Sequence, residues 1–435
     1  MRMFRLALLA FLAAGPASAQ TLTTCDQLAG YPMTPRGPRL PGIAQVNHPD
    51  RAIAACEEAR RTDSDPFLAF LLARALEAAD PDDPRLPDLI AEGAAASAPF
   101  AASRMGILYD TGRGGLAQDT ARARALAAES CDARPDPRAL PGCNNLAAMM
   151  TGPDELADAA ALYDRTCSEG FGLACSNLAD RIAADTAPGY PPSRVLALYE
   201  RGCDLSDSWG CVMAGYTMTV AETPDNDGAA RRFLRACDLG DGEGCYRLGL
   251  LTRDRTDTEP DWDWAQESFL RGCDDGHQEA CYNRALGLSY GYDSAGGGTD
   301  AGDHAAAVAL FTRLCDERHA DACMDLGYLY AEGQAVAQDS ARGVELSARA
   351  CALGSALGCN NLGVHLATAE GIAQNMDLAA RYYEQGCAGE SGLACYNLGD
   401  MIAGGDLGTP DMPRAQALFR KACDLGEPDG CGRLP

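Results

Sequence analysis

The chain holds a single lysine, Lys421, among 36 basic residues, and its five histidines, His48, His277, His304, His319 and His365, are scattered. Both scarcities exclude chemistry. A serine hydrolase of the Ser-x-x-Lys type needs a lysine to tune its nucleophile, together with a Lys-Thr-Gly strand; Leu418 stands three residues before Lys421. A metal-dependent hydrolase needs clustered histidines, and no two here are closer than fifteen residues. Zinc knuckles of the Cys-x2-4-Cys kind and redox Cys-x-x-Cys pairs are missing as well. The glycines Gly296-Gly297-Gly298 are not followed by Lys-Ser/Thr, so no phosphate loop is formed. No cofactor is expected, and no catalytic residue is assigned.

Long apolar runs are also lacking. The longest, Leu6 to Ala14, is too short to span a bilayer; with Arg2 and Arg5 before it and Ala17-Ser18-Ala19 after, it predicts a cleaved signal peptide over residues 1–19. The mature chain is then exported, periplasmic or secreted, where disulfides persist. A lipoprotein would be acylated at Cys25, but Thr24 is bulky for such a site and nineteen thiols would remain, an odd number. The net charge of −26 argues against nucleic acid and anionic lipid as partners. It favours solubility and, as a sharper reading, a basic partner peptide.

What the chain has in abundance is cysteine, twenty in all, and nine pairs recur at a period of about 36 residues. They are Cys131/Cys143, Cys167/Cys175, Cys203/Cys211, Cys237/Cys245, Cys273/Cys281, Cys315/Cys323, Cys351/Cys359, Cys387/Cys395 and Cys423/Cys431. All but the first are Cys-x7-Cys. Eight residues of unbroken helix would separate the two Cα atoms by about 12 Å, and a disulfide needs roughly 4.4–6.8 Å, so the chain must turn back between them. Gly240, Gly276, Gly354 and Gly426 supply the helix stop. Bonds between equivalent cysteines of successive repeats are disfavoured, because stacked helices lie about 8–10 Å apart. Cys25 and Cys56 remain as a tenth pair.

Upstream of each first cysteine, the residue eight before is small in most copies, as at Ala229, Ala307 and Ala379. In the Cys-x7-Cys copies the residue four before is aromatic in Tyr163, Tyr199, Phe233, Phe269, Phe311, Tyr383 and Phe419, with Ser347 the exception. Steps of four mark one face of a helix, here called B. After the second cysteine, position +3 is mostly leucine and position +4 always Ala or Gly, as in Leu362-Gly363 and Leu398-Gly399. This is a second helix, A, whose small +4 residue admits a close neighbour at a cost of about 1 kcal/mol of helix propensity when it is glycine. The connectors Leu116-Ala-Gln-Asp119, Val336-Ala-Gln-Asp339 and Ile372-Ala-Gln-Asn375 place an Asp or Asn to cap helix B.

This unit, together with Cys359-Asn360-Asn361-Leu362-Gly363 and Cys395-Tyr396-Asn397-Leu398-Gly399, resembles the Sel-one-like repeat family, relatives of tetratricopeptide repeats, and its disulfide-bearing Helicobacter cysteine-rich branch. The resemblance covers residues 98–435. It implies an all-α, right-handed α/α superhelical solenoid of about nine 36-residue helix pairs, with the A helices on the concave side. Members of that branch are often labelled β-lactamases, the alternative reading as an envelope enzyme or a binder of peptidoglycan fragments, which the missing lysine and histidine patterns disfavour. Residues 20–97, with helices expected at 52–60, 67–79 and 86–96, form an N-terminal tetratricopeptide-like cap, with Cys25 bonded to Cys56.

What remains is a binding surface. Two residues after the second cysteine stand Asn145, Asn177, Asn283, Asp325, Asn361 and Asn397. Tetratricopeptide relatives use helix A asparagines to grip the main chain of an extended peptide, so these six are the candidate peptide-binding residues; the competing role is an internal cap or bridge. The chain is thus expected to be an exported, monomeric scaffold for a protein or peptide. The loop from Ser289 to Asp303 reads as a solvated insertion, with Asp293, Asp300 and Asp303 a weak calcium alternative.

Overall fold

The computed structural model describes residues 24–29, 46–255, 260–290 and 301–434. The expected signal segment, the stretch from Pro32 to Pro41, Asp293, Asp300 and most of the loop they belong to lie outside those residues. Among the described residues there are twenty-three α-helices and no strand. They form a repeated, solenoid-like array of helix pairs. Two compact units are distinguished: one holds the described residues up to Ala174 with Ala184–Gly189, the other Cys175–Ala183 with Tyr190–Pro435.

The Cys-x7-Cys turn is built the same way in every copy. Helix B ends on the first cysteine and the residue after it, and the third residue beyond the cysteine adopts a left-handed conformation: φ is +78° at Gly240, +85° at Gly276, +103° at Gly354 and +86° at Gly426. The next residue sends its N–H back to the carbonyl of the residue before the cysteine, as from Asp241 to Ala236 (3.1 Å) and from Ser355 to Ala350 (2.9 Å). This closes the orphan carbonyls of helix B in the manner of a Schellman cap. Except after Cys167, where the residue is Phe171, that same residue then caps helix A, accepting from a backbone N–H two or three positions on: Asp207 from Gly210, His319 from Ala322, Ser355 from Gly358, Ser391 from Ala394. One residue thus ends one helix and starts the next, which returns the chain within a single turn. The cysteine Cα atoms accordingly come to 4.4–4.6 Å at Cys203–Cys211, Cys237–Cys245, Cys351–Cys359 and Cys423–Cys431. Cys273–Cys281, Cys315–Cys323 and Cys387–Cys395 close likewise. Cys167 and Cys175 are disulfide-bonded too, and no cysteine is free.

The connectors cap in both directions. Asp119, Asp339 and Asn375 accept from the N–H of Arg122, Arg342 and Leu378. The glutamine before each reaches back to the end of helix A, Gln338 donating to the Ala331 carbonyl and Gln374 to that of Ala367, both at 2.8 Å. Between the helices of a pair, the small +4 residue lies under the aromatic ring. A Cβ on Gly215 would stand 2.7 Å from Phe233, on Gly363 2.7 Å from Tyr383, and on Gly399 2.8 Å from Phe419. Where Ser347 replaces the ring, its hydroxyl is buried without a partner.

Within the second unit the A helices Ser208–Thr219, Gly242–Arg253, Gln278–Tyr290, Ala320–Glu332, Ala356–Thr368 and Gly392–Gly404 form a layer in which those adjacent in order mostly touch, whereas successive B helices meet far less. The B helices are linked instead by long side chains. A basic residue two before the first cysteine reaches back to the previous B helix: Arg271 to Asp238 (2.8 Å), Arg349 to Asp316 (3.1 Å) and to the Cys315 carbonyl (2.7 Å), Lys421 to the Cys387 carbonyl (2.8 Å). Cations at helix C-termini are favoured there by the helix dipole.

In the first unit, helices Thr24–Ala29, Pro49–Thr62, Phe67–Ala79 and Leu86–Gly93 share one core with the first A helix, Ala98–Thr111, so the core runs across the point where the period begins. Thr24–Ala29 was not legible in the sequence; it is tied down by Cys25–Cys56, with Cα atoms 4.6 Å apart. Phe67–Ala79 is buried along most of its length, and Phe70 packs edge to face with Phe67 and with Phe100. Cys131–Cys143 closes its longer turn around the short 3-10 segment Pro137–Ala139. At the far end the last helix A is the five-residue Pro428–Gly432, held by its disulfide and by Arg433 on Asp400.

Candidate interaction face on the A helices

The six candidate residues all fall on A helices, and most spend their polar atoms on the helix A before their own. Asn145 donates to Ser103 Oγ at 3.0 Å, and accepts from Asn144 beside it. Asn283 accepts from Arg253 at 2.7 Å and donates to its own Glu279 carbonyl at 2.9 Å. Asp325 accepts from the Tyr282 hydroxyl at 2.7 Å. Asn397 donates to Asn360 Oδ1 at 2.8 Å, and Asn360 in turn donates to Asn361 Oδ1 at 3.3 Å. Asn177 is half-buried. The result is a polar seam joining successive A helices. Asn361 differs from the others: it accepts through Oδ1, and its Nδ2 has no hydrogen-bond partner among the described residues.

Sequence reading missed the exposed stripe beside this seam. Two residues before the second cysteine stand Trp209 (44 % exposed), Leu357 (41 %) and Leu393 (41 %), and five after it Tyr216 (43 %) and Tyr328 (42 %). Positions −2, +2 and +5 lie on one helical face, so Leu357, Asn361 and Val364 share a face, as do Leu393, Asn397 and Asp400 in the next helix. A large apolar residue at a position that points away from the core in several repeats was the available signal.

Between these apolar ends the stripe is acidic and buttressed. Glu243 accepts from Arg247 (2.6 Å) and from His277 Nε2 (2.8 Å); the His277 bond, with Arg247 adding to it, holds its carboxyl down at about 2. His277 stacks on Tyr246, and His319 on Tyr282, both at 4.8 Å between centroids. Asp321 is exposed and accepts from Ser355 (3.0 Å). Burial pushes the neighbouring Asp325 carboxyl up to about 6, against the opposing Tyr282 hydrogen bond.

No group of three His, Cys, Asp or Glu side chains is arranged to hold a metal among the described residues. Gly287-Leu288-Ser289-Tyr290-Gly291 carries the letters of a Gly-x-Ser-x-Gly nucleophile elbow, which sequence reading passed over. An elbow sits on a strand-to-helix turn; Ser289 lies in the last turn of the helix Gln278–Tyr290.

Five segments, 99–134, 278–319, 320–355, 356–391 and 392–427, match the Sel1 repeat model. The chain carries Sel1 repeats. Its paired cysteines are consistent with the cysteine-rich branch. A Sel1 repeat protein from Oxalobacter formigenes superposes with a TM-score of 0.56 at 17 % identity, covering 71 % of this chain and 88 % of that one. The protective antigen c5321 of uropathogenic Escherichia coli, described as an SLR fold, gives 0.54 at 16 % identity over 89 % of this chain and 82 % of its own. Among curated proteins, cytochrome c oxidase assembly factor 7 of Xenopus tropicalis is 31 % identical over 120 residues, 26 % of this chain and 51 % of that protein. The human protein of that name is 30 % identical over 101 residues, 22 % of this chain and 43 % of that one. The chain thus spans about half the length of the curated relatives it matches. No helix among the described residues is long and apolar enough to cross a membrane.

Proposed function

We propose that this Sel1-repeat chain is an exported scaffold that holds a protein partner, as an extended basic segment, along the face of its A helices. The observation that carries the reading is the repeated exposure of Leu357 and Leu393, each one turn before the half-buried Asn361 or Asn397, in consecutive repeats. An extended peptide places alternate side chains on one side, so two leucines one repeat apart offer apolar contacts in register. The free Nδ2 of Asn361 supplies a donor for a main-chain carbonyl. Asp321, with the chain's net charge of −26, favours a cationic partner. Export is supported by complete pairing of the cysteines, a state that persists in oxidising compartments. The matched relatives are named as assembly factors, which favours a protein on its way into a complex over a free signalling peptide.

The test uses the full chain as bait in envelope extract and, separately, a library of extended basic peptides read by fluorescence anisotropy. Leu357→Arg with Leu393→Arg should abolish capture and leave the melting temperature within a few degrees of the parent, since both side chains are exposed. Capture that survives this double variant unchanged would remove the A-helix face as the site. The rival reading, turnover of β-lactams, predicts nitrocefin hydrolysis that persists through purification and falls with a point substitution.

A further inference from the structure

A basic residue stands two before most of the first cysteines, though Glu129 and Gln385 take the place in two copies, and Arg313 departs from the contacts of its counterparts. Arg235 bonds Ser206, Arg271 bonds Asp238, and Arg349 and Lys421 bond backbone carbonyls of the preceding B helix. Arg313 instead places Nη2 on the disulfide of the preceding junction, 2.9 Å from Cys281 Sγ and 3.1 Å from Cys273 Sγ. Arg313 itself is open to solvent. The two sulfurs are unequally accessible: Cys273 is 8 % exposed and Cys281 2 %.

We propose that Cys273–Cys281 is a thiol–disulfide exchange site that accepts a thiolate from a dithiol reductant at Cys273 Sγ. In exchange the incoming sulfur bonds Cys273 Sγ, the Cys273–Cys281 bond breaks, and its electron pair leaves on Cys281 Sγ as a thiolate. Arg313 Nη2, closer to Cys281 Sγ than to Cys273 Sγ, stands where that charge appears. The second thiol of the reductant then attacks the mixed disulfide, releasing Cys273 as a thiolate and leaving the reductant oxidised. A cation beside the leaving sulfur lowers its thiol pKa, and a lower leaving-group pKa speeds exchange. It also offers an attacking thiolate a local attraction on a chain whose net charge of −26 repels anions elsewhere. The junction opened would be the one between helices Trp262–Asp274 and Gln278–Tyr290.

The oxidised full chain is treated with limiting dithiothreitol under native conditions, quenched at intervals with a maleimide, and mapped by peptide mass spectrometry. Cys273 and Cys281 should be alkylated about three to ten times faster than Cys315–Cys323 and Cys351–Cys359, whose cysteines are somewhat more buried. This ordering is read in the parent chain and needs no variant. Arg313→Met should bring Cys273–Cys281 down to the rate of those two bonds, Arg313→Lys should retain part of the advantage, and added salt should shrink it. The exposed terminal pair Cys423–Cys431 opens early through access alone, and its rate should not respond to Arg313→Met. Equal rates at the three internal junctions, or an advantage that Arg313→Met leaves intact, would overturn the proposal.

Discussion

The junctions at Cys273–Cys281 and Cys315–Cys323 share their backbone with those at Cys351–Cys359 and Cys387–Cys395, yet cap helix A with histidine in the first pair and serine in the second. A serine hydroxyl is short and serves its own turn, although Ser355 also donates to Asp321 (3.0 Å). An imidazole is longer and has a second nitrogen. With Nδ1 accepting the cap bond, His277 and His319 turn Nε2 to Glu243 (2.8 Å) and Glu279 (3.2 Å) of the preceding repeat, and their rings lie on Tyr246 and Tyr282. The histidine region is therefore cross-linked side to side. The serine region leaves Leu357 and Leu393 uncovered, and it is there that we propose a partner docks.

The largest test of this contrast is Asp325, which sits in the cross-linked region. Its carboxyl titrates near 6 in the fold and near 3.8 when unfolded, so the charged form is a cost to the folded state at neutral pH. Stability should rise as pH falls through 6 and stop rising below about 3.8. Asp325→Asn keeps an acceptor for Tyr282 and removes the charge. It should stabilise the chain by about 3 kcal/mol at pH 7 and by almost nothing at pH 3.5. Glu243 has the opposite sign: its contribution is complete above about 4.5 and is lost as pH falls toward 2. Urea melts of the parent, Asp325→Asn and Glu243→Gln at pH 7, 5 and 3.5 separate the two. An Asp325→Asn chain no more stable than the parent at pH 7 would mean that water reaches the carboxylate.

A smaller effect comes from exchanging the caps. His319→Ala loses the cap bond, the Tyr282 stack and the Glu279 link, and should cost about 1–2 kcal/mol, whereas His319→Ser restores the cap and should cost under about 1 kcal/mol. Ser355→Ala should fall near 1 kcal/mol. If His319→Ser is as damaging as His319→Ala, the imidazole matters for its cross-link and not for its cap. The thermal midpoints of the three variants, measured side by side, decide this.

Which parts of this were readable in the sequence follows from which residues keep their identity along the array. The period, the local pairing of the cysteines, the ring-on-glycine packing and the Asp or Asn that starts each helix B recur as letters, and each letter stands for one physical role. The residue that caps helix A does not: it is Asp207, Asp241, His277, His319, Ser355, Ser391 or Glu427, alike only in offering an acceptor. The helix A asparagines posed the converse difficulty. Their positions were plain, but an amide both donates and accepts, so sequence could not say whether Asn397 would turn outward or, as here, to Asn360. The Leu357 and Leu393 stripe was hidden because Glu243, Glu279 and Asp321 occupy the same position in the intervening repeats.

The smallest test concerns the left-handed residue on which all the Cys-x7-Cys junctions turn. It is glycine at Gly170, Gly240, Gly276, Gly354 and Gly426, but Ser206, Arg318 and Glu390 adopt it with φ of +66°, +72° and +68°. A side chain there costs about 1–2 kcal/mol against glycine, partly offset because glycine loses more freedom on folding. Glu390→Gly should therefore stabilise the serine-capped junction at Cys387–Cys395 by about 0.5–1 kcal/mol. Gly354→Ala should destabilise its neighbour by a similar amount, and through the backbone alone, since a Cβ at Gly354 meets nothing within 4 Å. Urea midpoints of both variants, compared with the parent, measure the pair. Opposite shifts of similar size locate the cost in φ; two shifts of the same sign would place it in the side chain of Glu390.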